Sequence, residues 1–163
     1  MLKGNSTKKK EGTGYGRVVS LGVAVVLLTV LSLCINSFMR SIEESIKINS
    51  VLSISLSFNR GVSFGLLASY PTVVLVSSII IILGVGMFFF LKVLNKELNR
   101  IECIGFLLIL AGALSNLFER IFYGRITDFI KVGWWPMFNL ADSMICVGAG
   151  LLVAALIVRG RKE

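Results

Sequence analysis

Long uncharged runs alternate along this chain with short segments in which polar residues return in a regular pattern. Residues 18–38 form an uncharged run of twenty-one, and residues 73–91 one of nineteen. At 1.5 Å per residue the first covers roughly 31 Å, about one bilayer hydrocarbon core. A third run, 102–119, is bordered by Glu102 and Glu119, and a fourth, 140–158, holds one charge, Asp142. A buried helix of a soluble protein would explain any one of these. Four of them in 163 residues leave too little polar chain to wrap them. Backbone in lipid has to satisfy its own hydrogen bonds, so each run is predicted to be a helix. The expected fold is an all-α membrane protein with four transmembrane helices, a single domain over 1–163.

The intervening segments predict more than linkers. Met39, Ile42 and Ile46 recur at helical spacing beside Arg40, Glu43 and Glu44, which predicts a short helix on the membrane surface. Leu52, Ile54, Leu56 and Phe58 then alternate with Ser53, Ser55 and Ser57, the pattern of a half-buried strand with a polar face. Asn59-Arg60-Gly61 ends it as a turn, and residues 63–66 are predicted as a return strand or a dipping loop. A small extracytoplasmic β-cradle within 48–70 is the expected result. Residues 125–130 read as a short alternating or extended stretch.

Composition sharpens this picture. The chain is 55% hydrophobic and 16% charged, with mean hydropathy +0.85, where soluble domains carry about 25% charged residues. The net charge of +8 would suit nucleic acid, but the basic residues bracket apolar runs as juxtamembrane residues do, so no nucleic-acid partner is expected. Eleven of the 17 basic residues fall on the side holding both termini and the loop after the second run, and six on the other. That bias predicts cytoplasmic termini, with residues near 39–72 and 119–139 outside. The first run exceeds the 7–15 residues usual for a signal-peptide core and no A-x-A cleavage site follows, so it is expected to be retained.

The chain has no histidine, which removes Ser-His-Asp and Cys-His chemistry and histidine-based metal sites. Cys34, Cys103 and Cys146 lie far apart in apolar runs, as buried hydrophobes do, and form no C-x-x-C pair. Only two aspartates occur, Asp128 and Asp142. Asn139, Asp142 and Cys146 share a helix face, and Gly150 roughly continues it as a site for close helix packing. A first-turn charge favoured by the helix dipole is the plain alternative for Asp142. Thirteen residues separate the two aspartates, enough for a fold-back that brings them face to face. Two carboxylates at one site split their proton affinities, so one can act as base toward water while the other polarises a carbonyl. A divalent ion is the rival use, but two carboxylates with Asn139 make a thin oxygen shell.

Asn116, Glu119 and Arg120 close the third run, whose interior face would include Gly105 and Gly112. Asn116 is placed to orient the dyad or hold substrate backbone, and Arg120 to tie Glu119 or a backbone carbonyl. Helix capping and snorkelling are the plain alternatives. Asn59 and Gly61 also suit a turn without further function. Trp134 and Trp135 suit the headgroup layer.

Taken in order, several motifs resemble lipoprotein signal peptidases, also called signal peptidase II. They are Asn59-Arg60-Gly61-Val62-Ser63-Phe64, Gly112-Ala113-Leu114-Ser115-Asn116-Leu117-Phe118-Glu119-Arg120, Gly124-Arg125-Ile126-Thr127-Asp128-Phe129 and Phe138-Asn139-Leu140-Ala141-Asp142-Ser143. The resemblance spans nearly the whole chain. It implies a bacterial inner-membrane aspartyl endopeptidase, expected as a monomer among membrane lipid. Such an enzyme needs no cofactor and cuts diacylglyceryl-modified prolipoproteins just before the lipobox cysteine. It also implies inhibition by the cyclic peptide globomycin. The family's catalytic aspartates match Asp128 and Asp142, and its supporting residues match Asn59, Asn116, Asn139 and Arg120. Departures occur where the family carries an aspartate and a lysine in the first span, here Ser32 and Asn36. Glu119 stands for the usual aspartate, and Val62-Ser63 for a usual small pair. Two rivals are carried: a small four-helix transporter, to be recognised by substrate-dependent ion flux without cleavage, and a catalytically silent binder of lipidated peptides.

Overall fold

The computed structural model describes residues 14–42, 44–62 and 66–160. Among the described residues, four helices are long and apolar enough to cross a membrane. They are α1 (Gly14–Arg40), α2 (Pro71–Leu94), α3 (Arg100–Tyr123) and α4 (Leu140–Gly160). Each encloses one of the apolar runs. Their ends follow local chemistry. Pro71 opens α2, where a missing N–H costs nothing. At the start of α3, Asn99 Oδ1 accepts from the Glu102 N–H at 2.9 Å, and the Glu102 carboxylate accepts from the Asn99 N–H at 2.7 Å. This reciprocal cap accounts for a buried acid at the mouth of an apolar run. Gly124, at φ 64°, stops α3 in the left-handed region.

The core lies around α3, which packs most heavily on α4 and next on α1. A Cβ on Gly105 would fall 2.9 Å from the Gly148 carbonyl oxygen, and one on Gly148 would fall 2.6 Å from the Gly105 carbonyl oxygen. Only glycine allows so close an approach. The packing glycine of α4 is therefore Gly148; Gly150, expected to serve this purpose, faces open space because it lies on the side away from α3. A polar seam joins α1 to α3: Thr29 Oγ1 donates to the Ala111 carbonyl at 3.3 Å, and Ser115 Oγ donates to Ser32 Oγ at 2.9 Å. One turn further along α1, Asn36 is 0% exposed, and among the described residues neither its oxygen nor its amide nitrogen has a hydrogen-bond partner.

The three-stranded antiparallel sheet has the order β1 (Ile46–Lys47), β2 (Leu52–Asn59), β3 (Ile126–Val132). Two sequence expectations change here. The surface helix at 39–46 is absent: Met39 and Arg40 finish α1, a turn follows at Ser41 and Ile42, and Ile46 pairs with Ile54 as β1. Glu43 lies outside the described residues. Ladder bonds to β2 claim the backbone that a helix would have used. The cradle is also not confined to 48–70, since its third strand comes from 126–132, after α3. Of the expected return segment, Ser63, Phe64 and Gly65 lie outside the described residues, and Leu66 sits in a turn.

The alternation of β2 is broken as well. Ile54 pairs with Ile130 and Ser57 with Asp128, so three steps on β2 match two on β3. This bulge turns the strand over. Directly paired side chains share a face, so Ile54 lies on the Asp128 side before the bulge, and Ser57 and Asn59 lie there after it.

Candidate active site

The site forms where β3, the start of α4 and the end of α3 meet. Asn139 is the residue just before α4, and its Oδ1 accepts the Asp142 N–H at 2.9 Å. Its own N–H donates to Asp142 Oδ2 at 3.3 Å. Asp142 is thus fixed by a capping box while its other oxygen, Oδ1, accepts from Asn116 Nδ2 at 2.8 Å. The plain reading of Asp142 as a first-turn helix charge is met, and the same side chain also reaches Asn116 of α3.

Asp128 arrives on β3 and is only 3% exposed. Its Oδ1 accepts from Asn139 Nδ2 at 3.2 Å, and Asn59 adds a side-chain hydrogen bond. Asn139 Nδ2 also lies 3.1 Å from Asn116 Oδ1 and 3.3 Å from the Thr127 carbonyl oxygen. This one fully buried amide therefore touches both aspartates and the strand that carries Asp128. Burial first, and then the Asp142 and Glu119 charges, push the Asp128 carboxyl up to about 7 against the opposing Asn59 hydrogen bond and Arg120 charge. The Asp128 carboxyl therefore holds its proton well above the usual carboxylate range.

The supporting residues divide clearly. Asn59 Oδ1 accepts the Gly61 N–H at 2.9 Å, and the Gly61 carbonyl accepts from Arg120 Nη2 at 2.8 Å. Arg120 thus ties a backbone carbonyl, one of its two expected partners, and holds the end of β2 against α3. Glu119 does not meet Arg120. It is 0% exposed, pairs with Arg40, and accepts from the Thr127 N–H at 2.6 Å and from Thr127 Oγ1 at 3.2 Å. The sequence names Arg40 as an outer-side charge flanking the expected surface helix and Thr127 as a motif residue, but gives neither a role at the site; the available signal is a lone arginine at the end of the first apolar run.

A cavity of about 400 Å³ opens beside Asp142. Asn59, Asn116 and Arg120 line its polar end, and Ile81 and Ile82 of α2 face Ile145 and Cys146 of α4 across it. The loop from Trp135 to Phe138 forms a further wall. Cys146 does lie on the Asp142 face, although it is exposed rather than buried. Trp134 is 86% exposed, edge-on to Trp135, as a headgroup-layer residue would be.

This arrangement has clear relatives. Proteins named lipoprotein signal peptidase are 36% identical over 156 residues in Janthinobacterium sp. (strain Marseille), covering 91% of this chain and 93% of that one. The relative from Syntrophomonas wolfei is 37% identical over 105 residues, 64% of this chain and 68% of its own. That from Chlamydia trachomatis serovar D is 38% identical over 104 residues, 61% of each chain. Two bacterial membrane enzymes solved by the in meso method share the fold. One has a TM-score of 0.76 at 22% identity, covering 90% of this chain and 92% of its own. The other has a TM-score of 0.71 at 26% identity, covering 85% and 93%. Residues 23–158 match the family described as Signal peptidase (SPase) II, a stretch that holds all four helices' apolar cores and both aspartates. The chain belongs to that family of bacterial membrane aspartic proteases.

Proposed function

We propose that this protein is an endopeptidase that removes the signal peptide of diacylglyceryl-modified prolipoproteins just before the lipobox cysteine, with Asp128 and Asp142 as its catalytic pair. The observation that carries this reading is Asn139, whose single side chain bonds Asp128, caps Asp142 and lies fully buried between them. Such a bridge holds two acids at one centre at the cost of their mutual repulsion, which a merely structural aspartate would not require.

In the proposed reaction a water held between the carboxyl groups attacks the scissile carbonyl carbon. Asp142 takes a proton from that water, and Asp128 gives its proton to the carbonyl oxygen. The tetrahedral diol then collapses. The carbon–nitrogen bond breaks, the leaving amine takes the proton from Asp142, and a diol hydroxyl returns a proton to Asp128. The raised proton affinity of Asp128 supports its role as the acid. Arg120 lines the polar end of the cavity, where its guanidinium is a donor for substrate carbonyls. The apolar walls from Ile81, Ile82 and Ile145 suit a hydrophobic signal peptide. The eleven-to-six distribution of basic residues supports cytoplasmic termini and a site near the outer leaflet.

Cleavage of a diacylglyceryl-modified lipobox peptide by the purified protein in detergent, beside the unmodified peptide, tests the reading. Cutting of the modified peptide just before its cysteine is expected. A folded protein that binds this peptide and never cuts it would establish the silent binder instead.

A further inference from the structure

The Asp128 strand is held from behind by residues that never reach the cavity. Arg40 is the last residue of α1, and its Nη1 pairs with Glu119 and donates to Thr127 Oγ1 at 3.1 Å. Its guanidinium also lies 4.2 Å from the centre of the Tyr123 ring. Glu119 spends both carboxylate oxygens on this cluster, Oε2 on the Thr127 N–H and Oε1 on Arg40 and Thr127 Oγ1. Thr127 is the residue before Asp128, and its carbonyl lies within reach of Asn139. A chain of direct contacts therefore runs from the end of the first helix to the peptide unit that carries one aspartate.

We infer that Arg40 is a positioning residue for the aspartate pair: it locks Glu119 and Thr127 into one buried cluster, fixing the Asp128 backbone, and it cancels a third negative charge beside the pair. This role rests on the dyad reading above. A fully buried carboxylate without a counter-charge is costly. Here the uncompensated acid would also stand behind Asp128, whose carboxyl already responds to Glu119. The charged and polar groups that act on Asp128 are Asp142 of α4, Asn139 just before α4, Glu119 and Arg120 of α3, and Asn59 of β2. Those facing Glu119 are Arg40 of α1 and Thr127 of β3. The only charged residue of α2, Lys92, pairs with Glu97 near the opposite end of that helix from the site.

The test uses the chain's two aspartates, which give two resonances when the protein is labelled with aspartate carrying ¹³C at its carboxyl carbon; D142N assigns them. In Arg40→Met the Asp128 titration midpoint is expected to rise by about half a pH unit or more. Arg40→Lys keeps the charge and should keep the wild-type midpoint. R40M/E119Q removes both charges together and should bring the midpoint back to the wild-type value or below. An unchanged midpoint in folded R40M overturns the inference, even where its stability or turnover falls. If R40M fails to fold, a folded R40M/E119Q supports charge cancellation, and an unfolded double variant overturns it in favour of plain scaffolding. No arm needs cleavage. A wild-type protein that cuts nothing would therefore count against the proposed activity and leave the clamp to be judged by titration alone.

Discussion

Ser57 stands directly opposite Asp128 across the β2–β3 ladder, on the far side of a bulge that turns β2 over. Without that bulge the face toward Asp128 would carry Ile54, Leu56 and Phe58. With it, Ser57 and Asn59 occupy that face, and Asn59 comes within reach of the aspartate. The bulge thus decides whether Asp128 meets an amide donor or a row of hydrocarbon.

Asn59→Ala removes a hydrogen bond that favours the charged form of Asp128. The Asp128 midpoint should then move above 7, and the alkaline limb of the pH–rate profile should move with it. Turnover at pH 7 should fall about tenfold, on the scale of one lost active-site hydrogen bond. An alkaline limb that stays in place while turnover falls would mean that Asn59 acts on substrate rather than on the aspartate.

The pair should give a bell-shaped profile whose upper limb lies near 7, since above it both acids are ionised. Asp128→Asn and Asp142→Asn should each remove turnover by about 10³-fold or more, and the double change should add little, because the two act as a unit. In D142N the Asp128 midpoint should fall, because a repelling charge has gone. Single-turnover rates and carboxyl titrations check the two parts separately.

Asp128 should also cost the fold stability at high pH. Its folded-state proton affinity is raised from 3.8 to about 7, so the native protein binds more protons than the unfolded chain between those values. Stability from this group is present below about pH 4 and is lost as pH rises toward 7. Asp128→Asn should accordingly melt at a higher temperature than the wild type at pH 8, with the difference vanishing at pH 4. Thermal unfolding in a fixed detergent at the two pH values decides it.

Asn36 makes a different kind of demand. Its amide is fully buried without a partner, so it bears desolvation with no hydrogen bond in return. Asn36→Leu, apolar and branched at the same carbon with the same number of side-chain heavy atoms, should raise stability by about 1–2 kcal/mol. Asn36→Asp should lower it sharply. Equal melting temperatures for N36L and wild type would show that the amide is satisfied in the membrane.

The four helices were legible because an uncharged run long enough to span a bilayer has few other uses, and Asp128 and Asp142 stood out as the only aspartates. The asparagines at 59, 116 and 139 could be named as neighbours of the pair, but not their wiring, which depends on which carboxylate each amide reaches. The surface helix failed because Ile46 answers to a partner strand, and pairing with Ile54 overrides local periodicity. The third strand reads as an extended stretch at 125–130, but its pairing is hidden because Ser57 and Asp128 are brought together only when α2 and α3 have folded between them. Arg40 and Glu119 lie 79 positions apart, and nothing local to either residue names the other.

The close meeting of Gly105 with Gly148 has a mechanical consequence. Helices whose backbones touch cannot slide past one another without collision, so α3 and α4 form one stiff jaw that carries Asn116, Asn139 and Asp142. The opposing wall of the cavity is α2, which leans on α3 and α1 and stands across the cavity from α4. Ile81 and Ile82 therefore sit on the less closely packed wall: α2 bounds the width of the cleft beside Asp142, while the contact of α3 with α4 holds Asn116, Asn139 and Asp142 together.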